Sequence, residues 1–267
     1  MRNLADMLID VHCHLTGDDY DEVGSLDEVV RRAVGEGVGR MICSGYDINT
    51  SMQARALAER HEEVYFSAGF HPSELKKWRE HDLDRLREIC RHEKCVAVGE
   101  IGLDYHFDDN PSKEEQAEKF VAQMRLADEM GLPIVVHSRD AAQDTLEILR
   151  EHKDLIKKGG LLHCYSYSAE MLQDFLALGM YFSFGGPCTF KNANKVQKCV
   201  QSVPGGRILT ETDCPYLSPV PKRGQFPNQP CNVVHILRQM ADLRQENEKE
   251  LKNQVLDNAK RLFFKLK

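Results

Sequence analysis

The chain has 267 residues, 42% hydrophobic and 29% charged, with a formal net charge of −7, a composition suited to a globular protein with a sizeable core and a length that fits one large domain or two small ones. The acidic balance excludes a generally basic, nucleic-acid-coating surface, but not a polyanionic substrate, because bound divalent cations would reverse the sign locally. Nine cysteines occur with no C-x-x-C pair, which reads as reduced thiols rather than a disulfide framework. The N-terminus shows no hydrophobic signal core, and no run approaches the roughly twenty apolar residues of a membrane span. The expected location is the cytoplasm, with the nucleus left open.

Met7–Leu15 (MLIDVHCHL) is an apolar run ending in two histidines one residue apart. As a β-strand it points Asp10, His12 and His14 to one face. Imidazole and carboxylate are the donors that zinc, manganese or iron would take. The acidic loop 16–24 leads to Ser25, an N-cap with Glu28 three residues on, and a helix to about Gly35. A second strand spans Val38–Tyr46, a helix Asn49–Arg60, and a third strand Val64–Phe70 before His71-Pro72. A polar helix around Asp82–His92 precedes strand Val96–Leu103 and the long helix Ser112–Gly131, whose apolar stripe is Phe120, Met124, Ala127 and Met130. Strands follow at Pro133–Arg139, Gly160–Tyr165, Tyr181–Gly185 and Arg207–Asp213, separated by helices at Ala141–His152, Ala169–Leu178 and Asn194–Ser202. A proline- and glycine-rich loop, Pro215–Pro230, and helices Asn232–Arg244 and Lys249–Phe264 close the chain.

Eight short, near-continuously apolar strands alternating with helices predict an α/β fold, a single (β/α)8 TIM barrel over residues 1–267, with a doubly wound open sheet as the alternative. Barrel enzymes carry their chemistry at the C-terminal ends of the strands. Those ends hold His12 and His14, His71, Glu100 and Asp104, His137 and Arg139, His163, and Glu211 and Asp213. Each alone could be a polar group satisfied by backbone; together they predict a site. His61, His92 and His152 end helices, where a cation suits the helix dipole, and receive no role. Four histidines and two carboxylates (His12, His14, His137, His163, Glu100 and Asp213) exceed one catalytic zinc and suit two divalent ions bridged by a carboxylate.

DVHCHL, GFHP at His71, GEIGLDY at Glu100, VVHSRDA at His137, LHCYS at His163, FKNA at Lys191, TETDCPYL at Asp213 and the closing DNAKRLF run nearly end to end. This series resembles the TatD family of metal-dependent hydrolases, in the amidohydrolase-like barrel superfamily. The resemblance implies a divalent-metal-dependent deoxyribonuclease, 3'-5' exonuclease or related phosphoesterase acting on DNA, with no membrane and no obligate protein partner. It implies that His12, His14 and Asp213 hold one metal, His137 and His163 the other, and that Glu100 bridges them. Arg139 and His71 would face the substrate phosphate, with Lys191 beside them. Two positions depart from the family pattern: Tyr167, where glycine is common, and Gln229, where glutamate is frequent.

The residue chemistry leads to the same roles. Glu100 is a carboxylate able to span two cations, and Arg139, two residues past His137, offers a planar fork to phosphate; a salt bridge to Asp140 is the competing reading. Metal-bound Asp213 is the expected acceptor of the attacking water's proton, so the catalytic set is Asp213, Glu100 and Arg139. Glu211 shares a face with Asp213 and is expected to orient a ligand histidine. Lys191, Lys195, Lys198, Lys222 and Arg223, with Phe190 and Phe226, could meet phosphates and bases. Cys13, Cys164 and Cys214 are expected in the core rather than as thiolate ligands. Zinc, manganese, magnesium, iron, cobalt and nickel all suit the donors. A hydrolase of C–N or C–O bonds and a non-catalytic metal scaffold are the rival functions.

Overall fold

The computed structural model describes residues 7–267. Its strands are β1 (Leu8–Cys13), β2 (Val38–Ser44), β3 (Val64–Ala68), β4 (Cys95–Asp104), β5 (Ile134–Arg139), β6 (Gly160–Leu162), β7 (Tyr181–Phe184) and β8 (Ile208–Thr210). They form one eight-stranded sheet in sequential order, and each neighbouring pair is parallel. Between them run α1 (Leu26–Gly35), α2 (Ile48–Arg60), α3 (Asp82–Cys90), α4 (Lys113–Met130), α5 (Ala142–Glu151), α6 (Ala169–Ala177) and α7 (Asn194–Ser202), and after β8 come α8 (Val233–Arg244) and α9 (Glu248–Leu262). No helix among the described residues is long and apolar enough to cross a membrane.

The sheet is a (β/α)8 barrel, not an open sheet, because its two ends meet. The Thr210 hydroxyl donates to the Ile9 carbonyl at 2.8 Å. The Asp213 N–H donates to the His12 carbonyl at 3.0 Å, and the His14 N–H to the Cys214 carbonyl at 2.7 Å. An open sheet would hold its first and last strands apart. Period-two alternation along β1 sends Asp10 and His12 to one side and Ile9, Val11 and Cys13 to the other, all of them buried.

The last strand is shorter than its sequence suggests, ending at Thr210 rather than Asp213. The reason lies in where the next N–H groups go. That of Glu211 still reaches Phe184 of β7, but that of Thr212 turns to the Asp10 carboxylate at 2.9 Å and that of Asp213 to β1. Bonding therefore switches from one neighbour to the other, and Asp213 sits beyond the ladder at φ +52°. Strand β6 likewise stops at Leu162, one residue before His163. Helix α2 starts one residue earlier than expected, because Asp47 accepts from the Thr50 N–H and caps it.

Two features set the position of β4. Its register against β5 shifts between Val98 and Ile101, the irregularity that carries Glu100. Gly102 then pairs with His137 so closely that a Cβ there would lie 1.9 Å from the His137 carbonyl oxygen, which only glycine permits. Helix α4 fixes the strand ends from outside. Buried Gln116 clamps the Asp104 N–H and carbonyl at 2.8 and 3.0 Å, and buried Gln123 clamps those of Phe70 at 2.7 and 3.2 Å.

Candidate metal centre

The barrel brings the predicted ligands of five strands together. The Nε2 atoms of His12 and His14 lie 3.2 Å apart, as do His137 Nδ1 and His163 Nε2. Glu100 stands between the two pairs. Its Oε2 is 3.4 Å from His12 Nε2 and 3.5 Å from His14 Nε2. Its Oε1 is 2.9 Å from His137 Nδ1 and 2.8 Å from His163 Nε2. Asp213 closes the first pair, with Oδ1 3.7 Å from His12 Nε2 and 3.5 Å from His14 Nε2. Potential ligand atoms group as His12–His14–Glu100, His12–His163–Asp213 and His71–Glu100–His137.

This grouping differs in part from the expected split. His163 shares a group with His12 and Asp213, and His71 joins Glu100 and His137. His71 packs edge-on to His137 with ring centroids 4.1 Å apart. Its Nδ1 accepts from the Ser73 N–H at 3.1 Å, so the neutral ring carries its proton on Nε2, which faces Glu100 Oε1 at 3.6 Å. His71 is therefore suited to donate a hydrogen bond and not to coordinate through that nitrogen.

In His12, His14 and His137 the other nitrogen is engaged from behind, which turns the free one inward. The His14 Nδ1–H donates to the Ser44 carbonyl at 2.9 Å, and His12 Nδ1 meets the Ser44 hydroxyl at 3.0 Å. His137 Nε2 meets Asp104 Oδ2 at 3.0 Å. His163 Nδ1 faces Glu211 Oε1 at 3.7 Å, and both are buried polar atoms without a hydrogen-bond partner. The other Glu211 oxygen accepts from the Ser183 hydroxyl at 2.5 Å. Glu211 thus stands behind His163 without a hydrogen bond to it. Ser44 was missed, and Asp104 was noted without a role. The signal for Asp104 was present: it lies four residues past Glu100 in one strand, on the same face.

Asp10 lies below the site, fully buried. Its Oδ1 accepts from the Thr212 N–H at 2.9 Å and the His12 N–H at 3.4 Å, and its Oδ2 from the Thr212 hydroxyl at 2.5 Å. Cys13 and Cys214 are buried free thiols beside it, and Cys164 is partly buried, consistent with packing roles.

Electrostatics follow from crowding of unlike charges under burial. Burial opposes ionisation of Glu100, yet the imidazoles of His163, His71 and His12 hold its carboxyl well below the usual range. Burial likewise opposes protonation of His14, but Asp213 and Glu100 raise it to about 9. His71, partly buried and beside His137, falls to about 3 and is neutral at physiological pH. Four inward-facing imidazole nitrogens around two ionised carboxylates are the donor set that divalent transition metals take, so the residues fit such ions.

Of the predicted substrate-side residues, His71 is part of this cluster, and Arg139 and Lys191 lie outside it. Arg139 is exposed at the end of β5, with its guanidinium 5.2 Å over the Phe107 ring. It does not pair with Asp140, which meets His106 at 2.9 Å. Lys191 is exposed on the loop after β7, and Lys198 pairs with Glu170 at 3.0 Å. The two departures from the family pattern are both tied into the scaffold. The Tyr167 hydroxyl meets the Ser138 hydroxyl at 2.8 Å and accepts from the Ala141 N–H at 3.2 Å, pinning the turn that follows Arg139. Gln229 accepts from Arg32 of α1 at 2.5 Å.

A (β/α)8 barrel with this donor set at its strand ends has the architecture of a metal-dependent hydrolase. Residues 9–264 match the family of TatD related DNases. The chain is 42% identical over 257 residues to the uncharacterized metal-dependent hydrolase YabD of Bacillus subtilis, covering 96% of this chain and 99% of that protein. It is 33% identical over 263 residues to the 3'-5' ssDNA/RNA exonuclease TatD of Cronobacter sakazakii, covering 97% and 98%. Its fold matches the crystal structure of YJJV, a TatD homologue of Escherichia coli K12, with a TM-score of 0.90 and 30% identity over 98% of this chain and 99% of that one. The chain belongs to the TatD family of metal-dependent hydrolases.

Proposed function

We propose that this protein hydrolyses phosphodiester bonds in nucleic acid, as a deoxyribonuclease working with two divalent ions. The observation that carries the reading is the position of Glu100, one oxygen against His12 and His14 and the other against His137 and His163. In this reading His12, His14 and Asp213 would hold one ion and His137 and His163 the other, with Glu100 placed between the two sets. His163 lies close enough to the first group to serve it as well. When bound, divalent ions supply Lewis acidity and bring the pKa of water towards neutrality.

The remaining work falls to this chain's own groups. Asp213, held ionised by His14 against the opposing effect of burial, accepts the proton of the attacking water at a carboxylate oxygen. His71 donates from Nε2 to a phosphoryl oxygen, and Arg139 offers its guanidinium to the same charge from the rim. Glu211, Asp104 and Ser44 keep the imidazoles aimed. The exonuclease name carried by relatives at about one-third identity supports nucleic acid as the substrate class and 3'-5' action as its direction.

The test uses end-labelled single-stranded DNA with metal-replete protein. Asp213→Asn is expected to lower turnover by about 100-fold or more, the range for losing a general base, and His137→Ala, which removes a proposed metal-holding imidazole, is expected to lower it as well. Unchanged turnover in both variants, or hydrolysis confined to lactone and amide substrates, would overturn the reading.

A further inference from the structure

Building on the nucleic-acid reading above, we propose that the rings of Tyr216 and Phe226 form a stacking platform for an unpaired base beside the scissile phosphate. Among the described residues, five of the seven exposed large hydrophobics (Phe107, Tyr216, Leu217, Val220 and Phe226, with Met52 and Phe264 outside the set) lie on loops that follow β4 and β8 at the catalytic end. Exposed apolar side chains gathered at one end of a molecule mark a binding surface.

The loop after β8 is held firmly, so its exposed rings are presented and not merely loose. Fully buried Asn228 donates from its side chain to the carbonyls of Thr212 at 3.1 Å and Tyr216 at 2.8 Å, and from its backbone to Pro215 at 2.8 Å. The Ser218 hydroxyl donates to the Gln225 carbonyl at 2.6 Å, and the Val220 N–H to the Thr189 hydroxyl at 2.8 Å. On this frame Tyr216 is 53% and Phe226 59% exposed, with ring centroids 6.5 Å apart. The Tyr216 ring also lies 6.5 Å from that of His14. The platform is therefore continuous with the metal centre.

Charge selects the occupant. Arg223, on the same loop, lies 4.2 Å over Phe190, which is thereby covered and not itself the free ring. Arg223 and Lys191 are exposed, and neither makes an ion pair among the described residues. A ligand suited to these loops offers a flat apolar face for the rings and negative charge for the basic side chains, which is the chemistry of a nucleotide. A base inside a duplex has its faces covered by neighbours, so the platform takes single strands or frayed ends.

The experiment pairs two oligonucleotides with three proteins. One single strand carries 2-aminopurine at its terminal positions and the other an abasic residue there; the proteins are wild type, Phe226→Ala and Phe226→Trp. The alanine variant is expected to lose 5- to 100-fold in kcat/KM on the base-bearing strand, mostly through KM, as removal of a stacking ring does. That ratio should shrink at least fivefold on the abasic strand, and tryptophan should restore it. Binding should quench 2-aminopurine in the wild type and less in the alanine variant. Equal penalties on both strands, or quenching indifferent to Phe226, would overturn the platform. If the wild type cleaves neither strand yet quenches through Phe226, the platform stands and the hydrolysis reading falls.

Discussion

The backbone N–H of Asp213 donates to the carbonyl of His12 at 3.0 Å. Two candidate ligands from opposite ends of the chain thus share the hydrogen bond that helps close the barrel. His14 repeats the pattern through Cys214. Closing the sheet and assembling this side of the candidate metal centre are one event, and Asp10 fastens both by holding Thr212 and His12 together.

Asp10→Ala is expected to cost about 1–3 kcal/mol of stability by leaving the buried N–H and hydroxyl of Thr212 unpaired. It should also weaken metal binding, because the register of His12 against Asp213 loosens. Asp10→Asn keeps an acceptor for the Thr212 N–H and should retain most of both. Denaturant melts of metal-free protein, with metal titrations beside them, decide it. Equal behaviour of alanine and asparagine would remove Asp10 from this role.

Asp104 receives His137 Nε2 on one oxygen and the His106 N–H, at 2.9 Å, on the other. An amide supplies only one acceptor. Asp104→Asn should therefore weaken metal affinity roughly 10- to 100-fold, the usual effect of losing a group that orients a ligand histidine, with turnover largely regained at saturating metal. Isothermal titration and metal-dependent kinetics measure the two parts. An unchanged affinity would sink the assignment.

Metal removal should make stability fall with pH on the alkaline side. In the metal-free fold His14 is raised to about 9, against about 6.5 when unfolded. A raised folded pKa stabilises fully below about 6.5, and that contribution disappears as pH rises through about 9. Glu100, held low, is ionised across this window and adds no slope. A metal-bound histidine is neutral and lacks the effect. Melting temperatures with chelator should drop between pH 6.5 and 9 while those with metal stay flatter. Parallel slopes would contradict it.

Most of the barrel was legible because β/α alternation and period-two patterning are local, and the strand ends follow from them. The strand-end histidines and carboxylates that the barrel brings together were legible for the same reason. The residues behind them were not. That Ser44 serves both His12 and His14 depends on the pairing of β1 with β2, whose register itself shifts between Asp10 and Cys13. Which nitrogen of His137 faces inward depends on Asp104 across two strands. Gln116 and Gln123 sat in plain view, the first four residues before Phe120 on the stripe of the long helix. A polar residue on an apolar stripe reads as an interruption until a strand end is seen to need its amide. Arg139 shows the converse. Sharing a strand face with His137 did not bring it into the cluster, because β5 ends there and the side chain leaves over Phe107.

Asp10 and Thr212 are 202 positions apart, and the bond between them belongs to the seam. A ribosome delivers His12 and His14 first and Asp213 after seven more strands, and long-range pairings of this kind form late. A nascent chain stopped just before β8 would carry most of the histidines and no closed seam to place them. In the proposed reading, metal capture by His12, His14 and Asp213 would therefore wait until β8 has been made and the seam has closed.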